Sequence, residues 1–504
     1  MMDAQTESSR LTPESGHRED SLHAQVRTAV IWRSGSQIFA QLIQWACTFM
    51  VIRILAPADY GLFAMTQVVI LLLNMLNGAG LASALIREPE LDEHKIRQMF
   101  GMLLLVNAVL AAIQFALAPV AAAYYRQPMI ATLLHVQCLI YATTPFIAFP
   151  YALLSRGMNY RAQAAADIIS SVTGALAALG GALAGWGVWT LVWAPIVLFA
   201  VRGAGLMITA RSWYWPSFDF RGAGHMARYG GLMAAGQIFW FAESQADVFI
   251  AGRRFDPHLL GIYTTSLFLA QIFVSKVIPP LNQVAFAAYA RLQGDPGAVG
   301  RVFPRGVGVI MVAALPFYAG MAATAEPLVL AALGPQWMEA VPIVRILAFA
   351  MPFMTFQTLI APACDAMGRP GLSVKNGATG GVLLVAAYLV GVNWGIQGLA
   401  LSWLTAYPLY IALSLRRTLP VLGTPLSALV AAVRPPLLAA LVMGLAVAGI
   451  DHLLPRILPA LSPWPKLAVL VPIGGIIYLG WLSIFSREML LELINTLRKR
   501  PASV

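Results

Sequence analysis

The chain has 504 residues, of which 59% are hydrophobic and 11% charged, and it carries a formal net charge of +11. Because soluble domains have about 25% charged residues, this composition excludes an ordinary soluble domain. Residues 101–123 alone continue without a charge for the length that a membrane-spanning helix needs. The composition therefore predicts an all-α polytopic membrane protein.

The N-terminal residues 1–27 are polar and lack the apolar stretch of a signal peptide, which predicts a disordered cytoplasmic tail. Cys47, Cys138 and Cys364 lie in apolar stretches without the spacing of metal ligands. We therefore expect no metal site and no cofactor.

About fourteen apolar segments of membrane-spanning length follow one another, separated by turn or charge signals. They begin near Ala29, Gly61, Gln98, Met129, Ala164, Val188, Tyr229, Leu259, Val302, Ala340, Leu372, Gly395, Ala428 and Lys466. An even number of segments places both termini on the same side of the membrane.

Lys and Arg residues are concentrated in alternate connections between these segments. About 23 of them lie in one set of connections and about five in the other, and cytoplasmic connections are the ones enriched in Lys and Arg. Both termini are therefore predicted to be cytoplasmic. The basic excess marks sidedness and attraction to anionic membrane lipids, so no nucleic-acid partner is predicted.

The chain repeats itself after two hundred positions, around the ends of segments 1 and 7. The repeated pairs are Arg53 and Arg253, Pro57 and Pro257, and Gly61 and Gly261. A second repeat, Trp186 and Trp394, precedes segments 6 and 12. The repeats predict two pseudo-symmetric six-helix bundles, with segments 13 and 14 as an addition.

The predicted organisation has five regions. They are the cytoplasmic tail 1–27, the N-terminal bundle 28–212, a cytoplasmic linker 213–228, the C-terminal bundle 229–418, and residues 419–504 with segments 13 and 14 and a basic tail.

Several short stretches resemble one family. They are residues 53–63 (RILAPADYGLF), 78–87, 246–263, 279–292 and 333–337 (LGPQW). Together they resemble the bacterial polysaccharide transporters, the lipid-linked oligosaccharide flippases of the multidrug/oligosaccharidyl-lipid/polysaccharide exporter superfamily. The resemblance covers nearly all of the apolar segments.

The resemblance implies a flippase in the bacterial inner membrane. Its expected substrate is an oligosaccharide repeat unit on undecaprenyl diphosphate, moved to the periplasmic leaflet by alternating access for exopolysaccharide, capsule or O-antigen assembly. Polysaccharide polymerase and export machinery are further expected partners. The protein itself is not expected to be an enzyme.

Five cations lie within or at the ends of the apolar segments and are candidates for contact with the substrate diphosphate or sugars. They are Lys276, Arg345, Arg33, Arg202 and Arg53. Lys276, near the middle of segment 8, could bind the diphosphate or form an ion pair with Glu243 or Asp247. Arg33 and Arg202 could capture the diphosphate or anchor the helix at the interface.

The other two cations have different expected roles. Arg53 precedes a proline turn and is expected to shape it, and Arg345 could line a cavity mouth. Each of these charged residues is expected to have a structural or functional role, because a charge near the bilayer centre costs about 2.5 to 3.5 kcal/mol on insertion scales.

Three acids, Glu243, Asp247 and Asp167, are candidates for binding a coupling cation, either a proton or sodium. Glu243 and Asp247 are four residues apart and share one helix face. They could equally neutralise Lys276 or Arg345.

Two alternative functions follow from the same residues. A cation-coupled exporter of drugs or other small molecules would have the same fold, and Glu243 and Asp247 favour it. A polysaccharide polymerase or ligase would use the same lipid-linked substrate, but the long periplasmic loop typical of such enzymes is not found among the predicted connections.

Overall fold

A computed structural model describes residues 41–76, 92–157, 159–211, 213–219, 238–292, 294–457 and 461–487. The regular structure in these ranges is helical. The first eight helices are α1 (Gln41–Ile54), α2 (Pro57–Leu76), α3 (Glu93–Tyr125), α4 (Met129–Gln137), α5 (Leu139–Thr143), α6 (Pro145–Arg156), α7 (Tyr160–Leu183) and α8 (Val188–Ala210). The next ten are α9 (Ile238–Arg254), α10 (Pro257–Arg291), α11 (Pro296–Ala323), α12 (Ala325–Ala332), α13 (Ala340–Thr358), α14 (Ile360–Ala366), α15 (Pro370–Gly391), α16 (Gly395–Leu422), α17 (Leu426–Ile457) and α18 (Pro463–Phe485).

The predicted all-α polytopic membrane fold is confirmed. Eleven segments of the described chain are long and apolar enough to cross a membrane, and one of them, residues 370–422, contains both α15 and α16. The shorter helices α1 and α9 begin at the limits of the described ranges and correspond to segments 1 and 7. The fourteen predicted segments are thereby accounted for.

Several helix starts agree with the sequence prediction to the residue, namely those at Met129, Val188, Ala340 and Gly395. The predicted starts at Ala29 and Tyr229 lie outside the described residues.

Prolines lie at the start of or within several of the helices. Segment 4 is divided into α4, α5 and α6, and Pro145 begins α6. Helix α10 continues through Pro279 and Pro280. Beside this pair, Asn282 Nδ2 donates a hydrogen bond to the Thr358 carbonyl at the end of α13, 3.0 Å away. This bond satisfies one of the carbonyls that the C-terminal end of α13 leaves without a helical partner.

The chain forms two compact units. The first comprises the described residues of 1–51, 75–117 and 133–234, and the second comprises 52–74, 118–132 and the described residues from 238 onward. These units do not test the predicted domain boundaries, which stay predictions.

In the first unit, apolar side chains of α3, α6 and α8 form a core. Phe100 and Phe149 stack with ring centroids 4.7 Å apart, beside Met99 and Met207. Helices α7 and α8 pack closely where a Cβ on Gly174 would lie 2.7 Å from the Leu198 side chain. This close approach explains why a small residue stands there.

Residues 213–219, the described part of the predicted linker, run along the start of α3 in the same unit. Ser217 N donates to the Arg97 carbonyl at 2.9 Å, and Arg97 Nε donates to the Trp215 carbonyl at 3.0 Å. A Cβ on Gly101 would lie 2.0 Å from the Ser217 carbonyl oxygen, so the segment fits against a glycine. The described part of the linker is thus fixed to α3.

In the second unit, the added helices α17 and α18 pack on α11 and on each other. Tyr478 of α18 donates a hydrogen bond to the Val312 carbonyl of α11 at 2.8 Å. Lys466 and Asp451 form a largely buried ion pair with an N–O distance of 2.8 Å, which joins α18 to α17. Segments 13 and 14 are therefore an integral part of this unit.

Candidate functional site

A buried carboxylate lies at the centre of a hydrogen-bonded cluster in the second unit. Asp247 of α9 is fully buried, and its Oδ2 accepts a hydrogen bond from the Tyr263 hydroxyl at 2.7 Å. The Tyr263 oxygen in turn accepts from Trp403 Nε1 at 2.9 Å. Asp247 Oδ1 accepts from the Val248 backbone N–H at 2.8 Å. Helices α9, α10 and α16 each contribute a residue to this arrangement.

Glu243 lies one helical turn before Asp247 and faces the next turn of α16. The Tyr407 hydroxyl lies beside its carboxylate. Trp403 and Tyr407 are four residues apart on α16 and stack with centroids 5.6 Å apart, so both face α9. Tyr388 of α15 completes the cluster, with its ring 5.9 Å from Trp403.

The acid cluster is held by neutral donors. Among the described residues, no Lys or Arg nitrogen lies within 4.0 Å of Glu243 or Asp247, so the structure records no ion pair with Lys276 or Arg345. A buried carboxylate without a counter-charge is costly unless it takes up a proton or binds a cation. The cluster is thus chemically suited to bind a proton or a small cation.

Lys276 lies on α10, at an exposed position of the described structure. It has no hydrogen bond or ion pair with another described residue. An ammonium group in a membrane-spanning helix without a protein partner is available for an anionic ligand.

Two of the predicted cations hold the ends of helices. Arg345 Nε donates to the Ala322 carbonyl at 3.3 Å, near the end of α11. Arg53 donates to the carbonyls of Leu330, at 3.5 Å, and Ala331 at the end of α12. Both arginines therefore compensate the negative end of a helix dipole.

Arg202 and Asp167 contact one another in the first unit. Arg202 Nε and Asp167 Oδ1 are 2.8 Å apart, and both side chains are about one third exposed. This ion pair joins α8 to α7. The remaining predicted cation, Arg33, lies outside the described residues.

The residues of the two-hundred-residue repeat meet in the second unit, in reciprocal pairs. A Cβ on Gly61 would lie 1.8 Å from the Pro257 carbonyl oxygen, and a Cβ on Gly261 would lie 1.8 Å from the Pro57 carbonyl oxygen. The first turns of α2 and α10 thus cross with their backbones in contact, and only glycine permits this approach.

The repeated arginines extend this reciprocity. Arg253, at the end of α9, donates to the carbonyls of Ala123, at 3.4 Å, and Tyr124 at the end of α3. Arg53 makes the corresponding contacts with the end of α12. Each repeated arginine therefore binds the end of a helix. These two helices correspond in the repeat, because α3 is segment 3, α12 ends segment 9, and segments 1 to 6 match segments 7 to 12. We call these two arginine contacts and the two glycine contacts the reciprocal closure.

The predicted signature at 333–337 lies against the same closure. Trp337 is fully buried, and its Nε1 donates to the Ile52 carbonyl at 3.0 Å. Gln336 Nε2 donates to the Arg53 carbonyl at 2.7 Å. The signature therefore positions the end of α1.

An apolar cavity of about 720 Å³ lies among α11, α13, α16 and α17. Its wall is formed by residues such as Leu315, Phe353, Ile411 and Leu437, and Arg434 is the charged residue among those that line it. A cavity of this composition can hold a hydrocarbon chain next to one anionic group.

The sequence analysis identified the two acids of the cluster but not the aromatic residues around them. Tyr263, Tyr388, Trp403 and Tyr407 are distant in sequence, and buried aromatic residues are common in membrane helices. One signal was present on segment 12, where hydrogen-bonding side chains recur every three or four residues. They are Trp403, Tyr407, Tyr410, Ser414 and Thr418.

A many-helix membrane fold with a repeated helix crossing and a buried acid cluster is the architecture of a membrane transporter. Comparison with known proteins agrees. The family model described as polysaccharide biosynthesis protein matches residues 50–342, more than half of the chain. The chain therefore belongs to this family, and the resemblance found in the sequence is confirmed.

Two curated relatives and two solved structures are similar to the chain. The chain is 27% identical to a succinoglycan biosynthesis transport protein of Rhizobium meliloti (strain 1021), over 70% of this chain and 71% of that protein. It is 20% identical to a teichuronic acid biosynthesis protein of Bacillus subtilis (strain 168), over 66% and 73%.

The similar structures show the fold. The lipid II flippase MurJ in an inward-closed conformation matches with a TM-score of 0.73 at 12% identity, covering 91% of this chain and 100% of that one. An inward-facing multidrug resistance transporter of the MATE family matches with a TM-score of 0.59 at 14% identity, covering 79% and 99%.

Proposed function

We propose that this protein is a flippase that moves oligosaccharide repeat units on undecaprenyl diphosphate from the cytoplasmic to the periplasmic leaflet by cation-coupled alternating access. The reciprocal closure carries the proposal, because alternating access needs a set of contacts that can close one end of a transport path. Membership of the polysaccharide biosynthesis family supports the substrate class.

The substrate explains why a protein is required. Several sugars and a diphosphate present many polar groups, and each unpaired polar group costs several kcal/mol in the hydrocarbon core. A polar path that opens to one leaflet and then to the other lowers this barrier while the lipid tail stays in an apolar environment.

The positive-inside distribution of Lys and Arg supports an orientation with both termini cytoplasmic in a bacterial inner membrane. In this orientation the end of α1 and the start of α2 lie on the periplasmic side. The reciprocal closure is then a periplasmic gate that is shut in this structure. Opening requires Arg53 and Arg253 to leave the helix ends they bind.

In this function Lys276 binds the substrate diphosphate, because it is a cation of a membrane-spanning helix that has no partner among the described residues. Arg345, Arg53 and Arg202 instead serve structural contacts. The apolar cavity beside Arg434 accommodates part of the polyprenyl chain. Glu243 and Asp247 bind the coupling cation.

Reconstitution tests the proposal. Purified protein is placed in proteoliposomes with fluorescent undecaprenyl-diphosphate oligosaccharide, and transfer between leaflets is measured by the access of a membrane-impermeant quencher. We expect transfer well above that of protein-free vesicles. Absence of transfer, in a preparation that moves cationic dyes instead, would contradict the proposal.

That second outcome would favour the alternative, a cation-coupled exporter of small molecules. The acid cluster of Glu243 and Asp247 is the observation that favours it, because buried carboxylates can also attract a cationic substrate. The dye arm of the same assay therefore decides between the two functions.

A further inference from the structure

One buried face of α16 is lined by hydrogen-bonding side chains for most of the length of the helix. The residues are Trp403, Tyr407, Tyr410, Ser414 and Thr418, and each is at most 4% exposed. Their spacing of three or four residues puts them on one face, which extends for about 22 Å at 1.5 Å per residue. We call these five residues the α16 row.

The first part of the row starts at the acid cluster. The Tyr407 hydroxyl lies beside Glu243, and the Tyr407 and Tyr410 rings are in contact with centroids 5.9 Å apart. The Gln357 side chain of α13 lies beside the Tyr410 hydroxyl, and Gln357 Nε2 donates to Ser414 Oγ at 3.2 Å.

The second part of the row ends near a cation. Asn376 Nδ2 of α15 donates to Thr418 Oγ1 at 3.3 Å. Half-buried Arg417 donates to Asn376 Oδ1 at 3.4 Å and to Thr379 Oγ1 at 2.7 Å. In the orientation proposed above, this end of α16 is cytoplasmic.

Two buried polar atoms beside the row have no partner among the described residues. They are the Tyr388 hydroxyl, which is fully buried among the groups of the acid cluster, and Gln357 Oε1. Buried polar atoms of this kind are the usual binding places of internal water. Gln357 lies beside Ser414, to which its Nε2 donates, and Tyr388 lies beside Trp403 at the start of the row.

We propose that the α16 row conducts protons between the Glu243 and Asp247 pair and the cytoplasmic side, so that the coupling ion of this transporter is a proton. The inference rests on the proposed cation-coupled transport. A polar row in a membrane helix is costly compared with an apolar one, and structural packing alone does not require it.

The transfer uses groups that both donate and accept a hydrogen bond. The protonated Glu243 carboxyl group gives its proton to the Tyr407 oxygen, while the original hydroxyl proton of Tyr407, turned away from the acid, passes to internal water and then along Tyr410, Ser414 and Thr418 to water on the cytoplasmic side, which takes up one proton. Each hydroxyl keeps one proton, and one proton is moved in total. Trp403 is only a donor, so it orients the Tyr263 hydroxyl and takes no part in the transfer.

The groups that face the two acids favour a proton over sodium. They come from every packed helix and are Tyr263 of α10, Tyr388 of α15, and Trp403, Tyr407 and Tyr410 of α16. Tyr263 donates a hydrogen bond to Asp247, so this carboxylate is held by a hydroxyl donor, whereas a sodium ion needs a set of oxygen lone pairs around it. At the cytoplasmic end, Arg417 and exposed Asp365 are the nearby charged groups.

Tyr410→Phe is the principal test, because it removes one hydroxyl and preserves the ring. Tyr478→Phe is the matched control, since Tyr478 is also a buried, hydrogen-bonded tyrosine of the second unit but lies outside the row. We expect a pH gradient, and not a sodium gradient, to accelerate flipping by the wild-type protein and by Tyr478→Phe. In Tyr410→Phe, the acceleration of flipping by the pH gradient should fall by about 100-fold or more, because removing a positioned proton-transfer group has an effect of this size.

A glycine pair tests the geometry of the row without changing a polar group. A Cβ on Gly380 of α15 would lie 2.4 Å from the Tyr410 ring, whereas a Cβ on Gly377 would have nothing within 4 Å. We expect Gly380→Ala to lose the response to the pH gradient and Gly377→Ala to keep it.

A second measurement needs no substrate. Hydrogen–deuterium exchange of the protonated carboxyl groups is followed by their infrared carbonyl band, assigned with Glu243→Gln and Asp247→Asn. We expect exchange to be slow in Tyr410→Phe and fast in Tyr478→Phe. If the wild type flips no lipid but exchange is slow in Tyr410→Phe, the proposed function fails and the proton row stands. Unchanged exchange and pH response in Tyr410→Phe, or acceleration of the wild type by sodium alone, would overturn the row.

Discussion

Lys276 differs from the other predicted cations because the described residues offer it no partner. Arg345 and Arg53 bind helix ends, and Arg202 binds Asp167. The same residue type in the same apolar context therefore serves different purposes, and only the contacts distinguish them. A free ammonium group in a membrane-spanning helix is the one that a diphosphate can bind without first breaking a protein contact.

We expect Lys276→Ala to abolish flipping of the lipid-linked oligosaccharide while membrane levels stay normal, because the variant loses the diphosphate contact but no contact within the protein. Lys276→Arg should retain part of the activity, since it keeps the charge. Transfer is measured in proteoliposomes and protein levels by immunoblotting. Normal flipping by Lys276→Ala would remove this residue from the substrate site.

The Asp167–Arg202 pair is expected to be structural. Because both side chains are about one third exposed, the coupling between them should be about 1 kcal/mol or less. A double-mutant cycle of Asp167→Asn and Arg202→Gln, followed by thermal unfolding in detergent, measures it. The single variants should keep the response to an ion gradient. If Asp167→Asn lost that response at unchanged stability, Asp167 would instead be a coupling residue.

At the scale of helices, the crossing of α2 and α10 shows how a repeated sequence becomes a repeated contact. Gly61 lies on the carbonyl of Pro257 and Gly261 lies on the carbonyl of Pro57. The same two residue types, glycine and proline, therefore recur in sequence and meet in space. An internal repeat that forms its own reciprocal contact can close and open as one unit.

We expect Gly61→Ala and Gly261→Ala to prevent full closure, because the added Cβ would overlap a backbone oxygen that a rotamer change cannot move. Overpacking of this kind typically costs about 1 to 3 kcal/mol, enough to shift a closed–open equilibrium strongly. Both variants should flip the substrate slowly. Gly180→Ala is the control, since a Cβ there would have nothing within 4 Å.

The position of the gate is tested by thiol labelling. Ile52 is buried at the closure, and Ile52→Cys should react slowly with a membrane-impermeant maleimide added outside the cell. Adding Gly61→Ala should increase this reaction. An unchanged labelling rate would mean that the glycine crossing does not control access.

At the scale of the whole molecule, the distribution of Lys and Arg predicts the orientation. Trp186 and Trp215 are both exposed tryptophans in connections of the first unit, and the predicted topology puts Trp186 in the periplasm and Trp215 in the cytoplasm. Trp186→Cys should be labelled by an impermeant maleimide in intact spheroplasts. Trp215→Cys should be labelled only after lysis, and the reverse result would invert the topology.

The sequence alone predicted much of the architecture, for physical reasons. A membrane-spanning helix must be apolar over a fixed length, so the number of spans could be predicted from the sequence. The distribution of Lys and Arg predicts their sidedness, which stays a prediction. The repeat of Arg53, Pro57 and Gly61 was also visible without a structure. So was the family, because its signatures occupy consecutive residues.

Only the tertiary structure decided which charged side chains have a hydrogen-bond or ion-pair partner, and which residue that partner is. Glu243 and Asp247 could be recognised as unusual, but the residues clustered around them, Tyr263, Tyr388, Trp403 and Tyr407, come from three other helices. Whether Arg202 or Lys276 is free depends equally on what lies beside it. Local sequence determines which segments cross the membrane, whereas the function of a buried charge depends on distant residues that folding brings within hydrogen-bond distance.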